Sequence, residues 1–160
     1  MTIALPQSTN LRRALVAVLA SLATACGDGP LSPERASLKA AEARWAQQKP
    51  ASNSYVMEQQ VGCFCIDRAT VFEVTVTQGT VTRARNPDTD VDVAADRLSM
   101  FRTVDQLFAE VRNAINNPGT LTSLEFDATT GVPSTVGLDP IRQAADDEVT
   151  YFTRRVILMP

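Results

Sequence analysis

Three cysteines, no histidine and scattered clusters of aspartate set the chemistry open to this 160-residue chain. Without histidine there is no Ser-His or Cys-His nucleophile pair, no imidazole base and no imidazole metal ligand. Cys63-Phe64-Cys65 is the sharpest pattern. In an extended strand, residues two apart face one side with Cα atoms ~6.5–7 Å apart, the outer edge of disulfide geometry. Gly62 before the pair and Asp67 after it predict a bend or bulge that shortens this distance. Three chemistries stay open: a structural disulfide stiffening a strand end, a strained and reducible bridge, and a soft-metal thiolate site shared between chains. The structural bridge is the primary expectation.

The carboxylates offer less. Asp88-Thr89-Asp90-Val91-Asp92 imitates the first ligands of a calcium loop. Val93 stands where that loop needs Gly, however, and Ser99 where it needs Glu. A solvated acidic loop is expected. Asp127, Asp139 and Asp146-Asp147-Glu148 raise paired-carboxylate hydrolysis, against the plainer reading that they cap turns and strand ends. There is no Gly-rich phosphate loop and no G-x-S-x-G elbow. No catalytic residue, metal site or cofactor is assigned.

The third cysteine reads as an address. Arg12 and Arg13 precede an apolar run from Ala14 to Ala25, the pattern of a secretory leader. The run falls short of the ~20 residues that cross a bilayer as a helix. Leu22-Ala23-Thr24-Ala25-Cys26 resembles the bacterial lipobox, with Leu22 four rather than three places before the cysteine. The resemblance implies cleavage before Cys26 and its acylation. The alternative is ordinary cleavage after Ala23-Thr24-Ala25. Removing the leader takes away two arginines and leaves 13 basic against 18 acidic residues, a balance of −5. That charge disfavours nucleic acid and gives no pull toward anionic lipid, so attachment must come from acyl chains. Gly27, rather than Asp, after the cysteine resembles the signal for outer-membrane sorting in enteric lipoproteins.

The elements that position these residues follow from local chemistry. A leader over 1–25, a Gly/Pro-rich tether over 26–32 and one domain over 33–160 are expected. Ser32 caps a first helix, with Pro33 at its first position, Glu34 on the dipole and Leu38, Ala41 and Trp45 on one face. Lys49-Pro50 stops it. Strands follow over 54–61 and 69–77, and the Gln78-Gly79 turn leads into a return strand over 80–84. Residues 85–100 read as a polar connection. Thr103-Val104-Asp105-Gln106 has capping-box spacing and opens a second helix with a stripe of Val104, Leu107, Phe108, Val111 and Ile115. Three more strands are expected over 121–126, 133–138 and 148–158. The fold class is therefore α+β: two layers, an antiparallel sheet of about six strands, and two helices on one face. Helix and three strands, twice over, also raises a duplicated αβββ unit.

From about Ala41 onward the chain resembles a family of small bacterial lipoproteins known as domain of unknown function 6174. The residues that carry this are Trp45, Tyr55, Cys63-Phe64-Cys65 and the Phe72-to-Val81 hairpin. Thr103-Val104-Asp105-Gln106-Leu107-Phe108, Phe126-Asp127, Gly131-Val132-Pro133, Asp139 and Asp146-Asp147-Glu148-Val149 continue the pattern in order. Val132 stands where an aromatic residue is expected. The resemblance implies an exported, lipid-anchored α+β domain and no activity. The expectation is a non-enzymatic binding or accessory module of the cell envelope, held to a membrane by acyl chains on Cys26 and meeting an unidentified envelope protein. A thiol–disulfide or carboxylate enzyme and a purely structural envelope protein are the rivals.

Overall fold

The structure, a computed structural model, describes residues 32–65, 68–141, 144 and 146–160. The expected leader over 1–25, Cys26 and Asp67 lie outside them. Among the described residues are two α-helices, α1 (Pro33–Gln48) and α2 (Val104–Asn116), and a 3₁₀ helix (Ala95–Met100). Seven strands accompany them: β1 (Tyr55–Gly62), β2 (Val71–Thr77), β3 (Thr80–Asn86), β4 (Val91–Asp92), β5 (Leu121–Phe126), β6 (Pro133–Leu138) and β7 (Val149–Leu158).

Both helices start as their sequences dictate. The Ser32 hydroxyl accepts from the Arg35 amide with Pro33 in the first turn. Thr103 and Gln106 close a reciprocal capping box, which satisfies amides that have no partner inside the helix. The buried face of α2 is Val104, Leu107, Phe108, Val111 and Ala114. Ile115, expected in that stripe, is only partly buried. The rotation of α2 is set by what it touches on two sides, and the smaller Ala114 takes the tighter place.

The strands form one antiparallel sheet in the order β4-β3-β2-β1-β7-β6-β5. Alternation along β1 and β2 puts Tyr55, Met57, Val61, Phe72, Val74 and Val76 in the core, under both helices. The other face stays open to solvent, as a half-covered antiparallel sheet does. Gln78 and Gly79 both take positive φ, 50° and 77°, and this matches the right-handed strand twist in a two-residue hairpin.

Two expectations change. The sheet has seven strands rather than six, because residues 85–100 are not an unstructured connection. β3 runs on to Asn86, β4 pairs back through Arg85–Asp92 and Asn86–Val91, and the 3₁₀ helix follows. The αβββ order does repeat, but not by symmetry. A rotational repeat would bring the same strand of each unit to the centre, whereas β1, the first strand of one, pairs with β7, the last of the other. A simple shift along the sheet also fails, since β5 runs opposite to β1.

Two local devices complete the packing. Arg155 adopts φ 48° at a bulge opposite the Val56–Glu58 step. The extra residue flips the alternation, so Val156 packs on the core while Ile157 turns to solvent. Gly131, at φ +76°, closes the β5–β6 turn against α1. A Cβ there would lie 3.0 Å from both the Ala41 carbonyl carbon and the Arg44 Cβ.

Candidate functional site

Cys63, Phe64 and Cys65 leave the end of β1 in a tight turn. The Cys65 amide donates to the Cys63 carbonyl over 2.8 Å. The two Cα atoms are 5.2 Å apart, and the sulfurs lie at bonding distance. The bend expected at Gly62 thus brings the pair inside the usual disulfide range. Cys63 packs against the core edge, while Phe64 is 74% exposed.

A second assembly joins three segments that the sequence does not visibly connect. Asp105, in the first turn of α2, accepts from the Trp45 indole N–H at 3.3 Å. Its other oxygen accepts from the Lys49 ammonium at 2.5 Å and the Asn53 amide at 3.3 Å. Beside it the Tyr55 hydroxyl accepts from the Val104 amide at 2.8 Å, and the Trp45 ring meets Tyr55 edge-on at 5.6 Å. Burial, added to by the charge of Asp105, pushes the Tyr55 phenol up to about 12. A phenol held there keeps its proton at neutral pH and is no general base. Both oxygens of Asp105 are engaged, so the assembly reads as a clasp between α1, β1 and α2. Tyr55→Phe is expected to leave the Val104 amide buried and unpaired, costing about 1–3 kcal/mol in urea unfolding. An unchanged midpoint would remove Tyr55 from the clasp.

Gln59 forms a third joint. Its side chain, wholly buried, accepts from the Arg102 amide at 2.8 Å and donates to the Arg102 carbonyl at 3.0 Å and to Thr153 Oγ1 at 3.2 Å. It shares the inward parity of Tyr55, Met57 and Val61, the signal by which the sequence could have found it.

Of the carboxylates noted in the sequence, Asp127 lies at the opposite end of β6 from Asp139, Asp146 and Asp147. Asp127 accepts from the Thr129 and Thr130 amides and the Thr130 hydroxyl, closing the β5–β6 turn. Those bonds, that of the Thr130 amide foremost, hold its carboxyl below the usual range. Asp139 follows the far end of β6. A six-residue strand separates the two by ~20 Å, well beyond the ~5–9.5 Å over which two carboxyls work on one glycosidic bond. Asp147 accepts from the Ile141 amide at 2.8 Å. Asp92 pairs with Arg83 at 2.8 Å, and Asp90 with Arg85. No three potential metal ligands gather among the described residues, and no helix among them is long and apolar enough to cross a membrane.

These features define an α+β domain of two helices on an antiparallel sheet, with a cysteine-closed turn at one strand end. The chain belongs to the family described as Family of unknown function (DUF6174), which matches residues 37–158. No curated protein and no solved structure matches it.

Proposed function

We propose that the chain is an exported, non-enzymatic binding or accessory module of the bacterial cell envelope. It is acylated at Cys26 and held at the outer membrane facing the periplasm, with Cys63 and Cys65 joined in a structural disulfide. The observation that carries the reading is the place of Cys26: directly after the apolar leader, and six residues before the Ser32 cap of α1. An accessory role over an enzymatic one is supported by how the polar groups are spent. Asp105 binds three segments together, Asp127 caps a turn, and Asp90 and Asp92 pair with arginines.

One mass-spectrometric measurement on protein extracted from membranes tests both cysteine assignments. The mature N-terminus is expected at Cys26 carrying diacylglycerol, and Cys26→Ser is expected to abolish membrane association. Alkylation before reduction should leave Cys63 and Cys65 unlabelled, and alkylation after it should label both. An unacylated wild-type mass overturns the anchor. Two free thiols in unreduced protein would move the redox and metal readings ahead of the structural bridge.

A further inference from the structure

The Cys63–Cys65 turn has no task in the core that requires Phe64. With the sulfurs at bonding distance and the Cys65 amide on the Cys63 carbonyl, the middle side chain is directed outward. Phe64 is 74% exposed, so its ring is free to meet a surface outside the domain. Its position in the fold says what is near. Gly62 pairs with Thr150, and Val149 with Leu138, and the Asp139 amide donates to the Thr120 carbonyl. Thr120 follows the end of α2, where Asn116 accepts from Arg35 in the first turn of α1 at 2.7 Å. Phe64, the 61%-exposed Ile141 and the start of α1 therefore share one end of the molecule.

On the anchor reading above, on which this inference rests, that end faces a bilayer. Ser32 lies six residue steps after Cys26, a reach of at most ~20 Å. This is shorter than α1 itself, whose 16 residues span ~24 Å. We propose that Phe64 is a membrane-contacting residue, seated at the headgroup–acyl boundary of the bilayer that holds the acylated Cys26. Asp88, Asp139, Asp146 and Asp147 share that end with Arg68, and the mature balance of 13 basic against 18 acidic residues gives no pull toward anionic lipid, so the surface it meets is zwitterionic phospholipid. Phe64, Ile141 and the 61%-exposed Val91, which pairs with Asn86, come from three different segments among charged residues and fall short of the area of a stable protein interface. A single ring entering lipid needs no such area.

The test uses the full-length, membrane-extracted protein carrying Phe64→Trp, reconstituted in phosphatidylcholine/phosphatidylethanolamine vesicles with brominated acyl chains. Trp45 is the one native tryptophan and is buried in the core, so its emission serves as an internal reference. The expected result is a blue-shifted contribution from position 64 that loses most of its intensity to the brominated lipid, while that of Trp45 does not. Intact mass separates the two readings. A chain without diacylglycerol overturns the anchor, whereas an acylated, vesicle-bound chain with unshifted, unquenched emission overturns the Phe64 contact alone. Shielding found in native envelope vesicles but not in protein-free bilayers also overturns it, in favour of a protein contact.

Discussion

Phe108→Ala is expected to destabilise the domain by about 3–5 kcal/mol, the range for deleting a buried aromatic ring. The residue is 3% exposed, and its ring stacks on Phe126 of β5 with centroids 6.2 Å apart and planes 20° from parallel. Removing it takes away both the apolar area and the surface on which α2 rests over the edge of the sheet. Single domains are stable by only about 5–15 kcal/mol, so a shift of this size will dominate a urea melt. The variant is expected to unfold at a clearly lower midpoint with an unchanged slope. A loss under about 1 kcal/mol would mean that the ring is not held in the core, and the packing of α2 would need redrawing.

Gly131→Ala is expected to cost a comparable amount, about 2–5 kcal/mol, by the opposite mechanism. The left-handed φ penalises any side chain by roughly 1–2 kcal/mol. Forcing a methyl group into a full site costs about 1–3 kcal/mol more. Here the obstruction is backbone, the carbonyl of the wholly buried Ala41 in α1, which cannot rotate away as a side-chain tip would. Relief requires α1 to lift from the β5–β6 turn, and the Gln48 contact to the Thr130 carbonyl would go with it. Thermal or urea unfolding of the variant measures this, and a cost below about 1 kcal/mol would show that the turn relaxes without disturbing the helix.

Local chemistry made much of this fold legible. The capping box at Thr103 and Gln106, the Ser32-Pro33 start and the Gln78-Gly79 turn each specify a structure within a few residues. The alternation of Phe72, Val74 and Val76 against Glu73, Thr75 and Thr77 told which face of β2 is buried. It could not tell which strand lies beside which, because alternation encodes a face and not a neighbour. β4 escaped notice for a related reason. Two residues carry no periodicity, and Val91–Asp92 is a strand only through its hydrogen bonds to β3. The Asp105 clasp was hidden in the same way, since Trp45, Lys49, Asn53 and Asp105 come together only once α1 and α2 lie side by side. The Cys63-Phe64-Cys65 turn was visible at once, since its geometry is fixed by two residues' spacing and one bend.

The central position of β1 beside β7 has a bearing on the order in which the chain acquires its shape. The two halves of the sheet, β1 to β4 and β5 to β7, are each sewn from sequence neighbours. Their seam joins the first strand to the last, with Glu58 and Arg155 paired at a sequence separation of 97. A chain made from its N-terminus therefore holds an open, unsatisfied β1 edge until its final ten-residue strand has been synthesised. Such distant pairings form slowly. For a polypeptide that threads through a membrane before it folds, as proposed above, a seam that closes only once β7 exists would suit export.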